Sequence, residues 1–549
     1  MRVRSAAVRA AAWLRSAPPV PLLAALVLVQ LAVVAWLAFD TPRNGWLWYS
    51  GGDATEYWSS QWAVAHGMIP PAFLGWGLPI FYAWIPLVTG VSMLQGIPVV
   101  VLLHTLVLGP LILVVVWALA DELYGRVYAW SVAAVWSIAP LLAVWSLSPR
   151  FTPRFEESVL APHWAGLTDM ADFPSLAAVL VTAWLTVRAA RNGRLGSAIG
   201  AGIAGGVMIG IKPSNGYFVL AVAALLIAWK RRYVALGWAV GVAPAVLTLA
   251  IWKARGLGHI PVLTGYAPQH LAVAAGAPLA ASVSRYVPFD WHHLSVEWRQ
   301  LREVFWDMRF LQFVLIASAL GALRRSPRIG VFLITWFVAY CVLKGMSDQA
   351  DVTTTSYFRL TLPGLAALVF LLPAIAFLWP GTRRQREVAD PETTAVGWRT
   401  PVAALAAVVA LVPLVVVLVE SPAPSQPLRI ARYLPAGTEA PISAKLLPQV
   451  ERDGKSVRLT WPDVESPGGS RVFYGVIRTR EGDGCTVPVE GARECFLNGP
   501  ITMFTFGPSA SDRPGRGRFT YRVVAVADNR TNTQSLDMML VGPAVSVRV

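Results

Sequence analysis

Charge is scarce in this sequence. Of 549 residues only 14% are Asp, Glu, Lys or Arg, where a soluble globular chain carries about 25%. Cysteine is scarcer still, with three residues, which excludes a small disulfide-built scaffold. Cys341 lies inside an apolar run. Cys485 and Cys495 lie in a polar C-terminal stretch, where a disulfide between them needs an extracytoplasmic setting. No nucleic-acid module accompanies the net charge of +15. The basic residues fall in short loops between apolar runs and read as topology signals. No strand precedes Gly200, Gly202 and Gly205, so their G-x-G-x-x-G spacing is accidental. No internal repeat is visible. His292-His293 lack the i, i+4 spacing of a helical metal pair. No small-residue cleavage motif follows the first apolar run, which is therefore expected to be retained as a helix.

What the sequence has is apolar length and tryptophan: 55% hydrophobic residues, 24 Trp and a mean hydropathy of +0.53. Repeated runs of about twenty apolar residues predict a polytopic α-helical membrane protein with about 11 TM helices. The first spans Pro18 to Phe39, behind Arg2, Arg4, Arg9 and Arg15. The second runs from Ile97 to Ala120 and turns at Asp121-Glu122-Leu123-Tyr124-Gly125-Arg126 into a third, ending near Trp145. The fourth starts at Asp172 and ends at Arg188, Arg191 and Arg194. In the fifth, Gly202, Gly206 and Gly210 recur every four residues, which favours close helix packing. The sixth ends at Lys230-Arg231-Arg232, the seventh near Trp252, the eighth at Arg324, Arg325 and Arg328, the ninth near Lys344. The tenth opens near Tyr357 and ends before Arg383, Arg384 and Arg386. The eleventh covers Val402 to Val419. Strict alternation puts every dense basic cluster on one side, as the positive-inside rule demands. The N-terminus is then cytoplasmic, and the acidic loops and C-terminal region are outside the cytoplasmic (plasma) membrane.

Two domains follow. Residues 1–424 form the transmembrane domain, with outer loops 40–95, 147–172 and 253–308. Within the first loop, Pro79 to Val88 suits short interfacial helices. Within the third, Leu294, Trp298, Leu301, Phe305 and Met308 space an amphipathic helix expected to lie on the outer leaflet. Residues 425–549 alternate apolar and polar positions, as in Val457-Arg458-Leu459-Thr460-Trp461, Val472-Phe473-Tyr474-Gly475-Val476 and Phe519 to Val526. This predicts a C-terminal all-β sandwich. Its Leu459/Trp461, Tyr474/Val476/Arg478 and Tyr521/Val523/Ala525 order resembles a fibronectin type III domain. Asn529-Arg530-Thr531 is a glycosylation sequon of a kind frequent by chance.

The outer span ends carry Asp53 and Glu56, Asp169 and Asp172, Lys212, and Arg359. Transfer of a sugar from a lipid phosphate needs a base for the acceptor hydroxyl and cations for the departing phosphate. These residues supply both types. From Gly51 to Leu371 the chain resembles the GT-C glycosyltransferase superfamily, especially its protein O-mannosyltransferase and lipid A aminoarabinose transferase branch. The resemblance rests on Asp53-Ala54-Thr55-Glu56-Tyr57-Trp58, then His66-Gly67-Met68-Ile69-Pro70 and Leu78-Pro79-Ile80-Phe81-Tyr82. Leu123-Tyr124-Gly125-Arg126, Asp172-Phe173-Pro174, Lys212-Pro213 and Arg359-Leu360-Thr361-Leu362-Pro363 follow in the family's order. The first motif departs from the usual pattern, since Ala54 separates Asp53 from the second acid, Glu56.

The resemblance implies a polyprenyl-phosphate sugar donor and a glycan, lipid or protein acceptor. Asp53 would be the base, Asp172 its support, and Lys212 with Arg359 the phosphate clamp. Glu56, Asp169, Tyr57 and His163 would be secondary. Some relatives use a divalent metal ion, which Asp53, Asp172 and an outer histidine could hold. Plainer readings compete. Asp53 fits a helix cap, and Glu56, three residues on, completes a capping box with it. Lys212 and Arg359 fit snorkelling anchors, and Asp169 a solvated loop charge. At the level of function, the alternative is a lipid-linked glycan transporter or a scaffold displaying the β-domain.

Overall fold

The computed structural model describes residues 12–40, 51–146, 163–258, 290–304, 311–380, 400–422, 446–480, 501–527 and 539–549, with short breaks inside these ranges. Helix α1 is Pro19–Asp40, α2 Gly51–Ala65, α3 Gly77–Tyr82, α4 Trp84–Thr89 and α5 Met93–Leu102. A π-helical turn, Leu103–Leu108, joins α5 to α6, Gly109–Tyr124. Then come α7 (Arg126–Ser137), α8 (Ala139–Ser146), α9 (Asp172–Asn192), α10 (Leu195–Ile211), α11 (Phe218–Ala228) and α12 (Arg232–Leu257). The rest are α13 (Trp291–Val304), α14 (Leu311–Arg325), α15 (Pro327–Val338), α16 (Ser356–Leu360), α17 (Leu362–Leu371) and α18 (Thr400–Val419).

Among the described residues, five helical stretches are long and apolar enough to cross a membrane: Pro19–Ala38, Pro98–Tyr124, Asp172–Asn192, Arg232–Leu257 and Pro327–Met346. Other expected spans appear as shorter apolar helices, such as Leu195–Ile211 and Leu362–Leu378, or as broken pairs, so five of the eleven expected spans reach membrane-crossing length among the described residues. The expected third span, for instance, breaks at Ile138 between α7 and α8. Pro79 to Val88 forms α3 and α4, two short helices, as its length requires.

The turns follow from local chemistry. Gly125 takes φ +91° between α6 and α7, a conformation open to glycine and strained for other residues. Between α14 and α15, Ser326 Oγ accepts from the Ile329 amide at 3.3 Å, with Pro327 in the first helical turn. This is a normal N-cap with proline at its preferred place. The four-residue glycine spacing in α10 does what it predicts. A Cβ on Gly202 would stand 2.1 Å from the Trp238 carbonyl oxygen, and one on Gly206 2.6 Å from the Ala245 Cβ. The backbones of α10 and α12 therefore touch. Gly210 instead receives the Trp76 indole from the first loop, where a Cβ would stand 2.2 Å from the ring.

The amphipathic helix α13 is turned relative to its expected face. Leu294 and Glu297 are buried, whereas Trp298 is 45% exposed. Glu297 Oε2 accepts from the Val352 amide at 2.6 Å and His293 Nε2 lies 3.0 Å from the Ala350 carbonyl. Burial raises the Glu297 carboxyl above its ordinary range. The inner face of α13 packs on the protein's own 344–358 segment, leaving Trp291 and Trp298 outside. Phe305 and Met308 lie outside the described residues.

The last helix, α18, leads into β2 (Ser421–Pro422), which pairs in parallel with β1 (Met68–Ile69). Arg255 donates to the Val417 carbonyl at 2.6 Å beside this bridge. The C-terminal region forms two sheets. β3 (Gln449–Asp453), β4 (Ser456–Thr460) and β7 (Ser509–Asp512) make one, in that order. The other has the order β10-β8-β5-β6, from Val545–Arg548, Arg518–Ala527, Val472–Arg480 and Ile501–Thr505, with β9 (Met539–Val541) also paired to β8. Leu459, Trp461, Tyr474, Val476, Tyr521, Val523 and Ala525 are all buried in one core between the sheets. The alternating positions read from the sequence are thus the inward-facing ones. Cys485, Cys495 and Asn529 lie outside the described residues.

Candidate active site

Asp172 opens α9, where the partial positive charge of a helix start favours an acid. It is 4% exposed. Lys212 is the residue at which α10 ends, in extended conformation, and its Nζ donates to Asp172 Oδ1 at 2.5 Å. Arg359 sits on the short helix α16, and its Nε stands 3.7 Å from Asp172 Oδ2. Three segments distant in sequence thus meet on one carboxylate. A buried carboxylate is costly unless paired.

The supports for these side chains are specific. Trp76 and its flanking glycines press on the end of α10: a Cβ on Gly75 would stand 2.1 Å from the Gly210 carbonyl oxygen. Trp252 and Lys253 both donate to the Leu74 carbonyl, at 3.2 and 2.6 Å. Arg359 is held through its neighbours. Tyr357 donates its hydroxyl to the Cys341 carbonyl at 2.9 Å, and Thr361 Oγ1 donates to the Tyr357 carbonyl at 2.8 Å. Asn215 locks α9, α10 and the continuation of α15 together. Its Nδ2 reaches Ser175 Oγ at 2.7 Å and the Met208 carbonyl at 2.9 Å, while Tyr340 donates to its Oδ1 at 3.1 Å.

Asp53 and Glu56 lie in the first turns of α2; their side chains are outside the described residues. The helix itself is firmly placed. Tyr57 and Trp58 are buried, and Trp58 lies so close over Gly96 that a Cβ there would stand 1.9 Å from its ring. Eight residues after Asp53, Gln61 Nε2 donates to Asp169 Oδ1 at 3.0 Å. Asp169 is 0% exposed and is no solvated loop charge. Burial pushes its carboxyl up to about 8, with the Gln61 bond pulling the other way. His163 is also buried, 5.8 Å from Trp136 between ring centroids, and burial holds its ring down at about 3, hence neutral.

The described part of the expected metal set does not fit a divalent cation; the Asp53 side chain lies outside the described residues. Both Asp172 oxygens face cations, Asp169 holds a proton at neutral pH, and no group of three or more His, Cys, Asp or Glu side chains converges among the described residues. The residues that sequence reading missed are Gln61, Ser175, Asn215 and Tyr340. The available signal was a neutral polar side chain in or beside an apolar run, where it needs a buried partner.

No family model and no curated protein matches the chain. Among solved structures, it is similar to the archaeal oligosaccharyltransferase AglB from Archaeoglobus fulgidus, in complex with an inhibitory peptide and a dolichol-phosphate. Identity there is 13% and TM-score 0.39, over 74% of this chain and 57% of that one. It is also similar to the A. fulgidus oligosaccharyltransferase in the apo form, at 14% identity and TM-score 0.34, over 75% and 57%. A third is the arabinosyltransferase EmbB from Mycobacterium smegmatis, at 16% and 0.30, over 72% and 37%. The chain thus spans little more than half the length of the first two. With TM-scores below 0.5, the reading of the site rests on its own residues.

Proposed function

We propose that the chain is a GT-C glycosyltransferase that moves a sugar from a polyprenyl-phosphate carrier to an acceptor hydroxyl at the outer face of the plasma membrane. The observation that carries this reading is the meeting of Lys212 and Arg359 on Asp172. Two cations gathered around one acid suit the negative charge of a sugar phosphodiester. In the transfer, the bond from the anomeric carbon to the phosphate oxygen breaks and its electron pair stays on the phosphate. The acceptor oxygen forms the new bond from the opposite face, so configuration inverts, and its proton goes to Asp53. A second negative charge develops on the phosphate, where two preset cations in a water-poor site stabilise it most. Asp172 keeps both cations in place before the lipid arrives.

The supporting geometry is that α2, which carries Asp53, is bonded through Gln61 to the segment that ends in Asp172. Tyr57 and Glu56 sit one turn from Asp53 and would line the acceptor side. Span-end basic clusters support a cytoplasmic N-terminus and an outside C-terminal domain. The sheet orders β3-β4-β7 and β10-β8-β5-β6 support a fibronectin type III-like sandwich (A-B-E facing C′-C-F-G). Strand β6 lies against α5, which suits a domain that presents an envelope glycan, lipid or protein acceptor.

The experiment uses the full chain in lipid nanodiscs with polyprenyl phosphates bearing mannose or arabinofuranose. Asp53→Asn should bind donor and lose transfer; full activity in that variant sinks the base assignment. A bound lipid phosphate located away from Lys212 and Arg359 sinks the clamp.

A further inference from the structure

The Gln61–Asp169 bond is buried and joins two segments 108 residues apart. Gln61 and Asp169 are each 0% exposed. Gln61 lies about 12 Å along α2 from Asp53, at 1.5 Å per residue. Asp169 lies one turn before Asp172. We propose that Gln61 and Asp169 form a neutral strut that sets the distance between the base helix and the phosphate clamp, and that both are positioning residues of the transfer reaction. The proposal rests on the reading of Asp53 as base and Lys212 with Arg359 as clamp.

Three observations carry it. The strut is a direct, buried side-chain bond from α2 to the 163–172 segment. The far end of that segment is held independently: His104, bonded to Tyr82 at 2.9 Å, lies tilted against Phe173 at 5.7 Å between ring centroids and faces the Gly166 and Thr168 backbone. A Cβ on Gly166 would meet the Phe173 ring at 3.4 Å. A push at Asp169 therefore reaches Asp172 and α9 without slack. The third observation is charge. An ionised Asp169 one turn from Asp172 would add a second negative charge beside the Lys212 and Arg359 cations. Burial keeps the group protonated at neutral pH, so the strut holds position without competing for the cations. Gln61 suits the same need, as a neutral donor where lysine would add charge.

This makes the chemistry of the bond testable by substitution. In Asp169→Asn the Gln61 amide keeps a carbonyl acceptor in the same place and the site stays neutral. In Asp169→Leu and Gln61→Met the bond is gone while the volume is roughly kept. With the full chain in nanodiscs, bare polyprenyl phosphate should bind all three variants within about twofold of the parent. Turnover should stay within about threefold in Asp169→Asn and fall at least about tenfold in Asp169→Leu and Gln61→Met, in kcat and with KM little changed, as expected when an approach distance is lost. Amide hydrogen exchange over 51–65 should quicken in the Leu and Met variants and not in Asn. Equal loss in Asn and Leu overturns the strut, since a metal ligand or proton-transfer acid would fail in both. No loss in either also overturns it. If no donor in the panel reacts with the parent and Lys212→Ala still binds bare polyprenyl phosphate normally, the functional reading falls. The exchange measurement then decides the strut alone, and unchanged exchange in Asp169→Leu ends it.

Discussion

Two buried carboxylates, one in each domain, meet an arginine in different ways. In the sandwich, Asp512 accepts from Arg478 at 2.9 Å and from the Tyr521 hydroxyl at 2.8 Å. Arg478 in turn lies 5.3 Å over the Phe519 ring. One cation answers one anion, and burial with the Asp512 charge raises the Tyr521 hydroxyl, keeping it a donor. In the bundle, Asp172 faces two cations, one in contact and one at 3.7 Å. The first arrangement ties strands of the two sheets together. The second sets two cations at different distances around one acid, as the proposed phosphate clamp requires.

The contrast can be broken by substitution, starting with the largest effect. Asp53→Asn should lower transfer about 1,000-fold, within the range for losing a general base, as read by release of polyprenyl phosphate. Asp512→Asn should leave transfer by the bundle intact but destabilise the sandwich by about 3 kcal/mol, the cost of breaking a buried pair. Thermal unfolding followed through Trp461 would check this. Lys212→Ala and Arg359→Ala should each weaken binding of polyprenyl phosphate about tenfold, a loss of about 1.4 kcal/mol. Asp172→Asn should do the opposite, tightening lipid binding while slowing transfer, because the clamp gains net charge and loses its organiser. Weaker lipid binding in Asp172→Asn would collapse the comparison.

The smallest effect is a pH slope. The Asp169 carboxyl is raised from the ordinary 3.8 to about 8. The unfolded chain therefore releases this proton well before the folded one. Asp169 thus contributes stability that is full below about pH 4, declines as pH rises, and is gone above about pH 8. Asp169→Asn should remove this decline, so its melting temperature relative to the parent should rise between pH 5 and pH 8.

Much of this was legible in the sequence. Apolar length announces membrane helices because lipid leaves a backbone few other forms. The four-residue glycine repeat of α10 and the alternating Leu459, Trp461, Tyr474 and Val476 positions gave contact faces directly. Asp172, Lys212 and Arg359 were readable as a set, since each stands at a span end where a charge needs a reason. Asp169 was misread because a polar neighbourhood in sequence says nothing of burial; its partner Gln61 lies on another segment. Helix α13 was misread by one face. Its apolar stripe and its buried Glu297 compete for the inside, and the Val352 amide decides for the acid. A tertiary hydrogen bond of that kind leaves no periodic trace.

The parallel bridge between Met68–Ile69 and Ser421–Pro422 bears on the order of assembly. A ribosome delivers α2 early and α18 last among the bundle's helices. The strand that follows the base helix therefore waits for its partner through the insertion of every helix between them. Until α18 emerges, one end of the Asp53 helix lacks its clasp. This bridge can therefore form only after every helix between its two strands has been made.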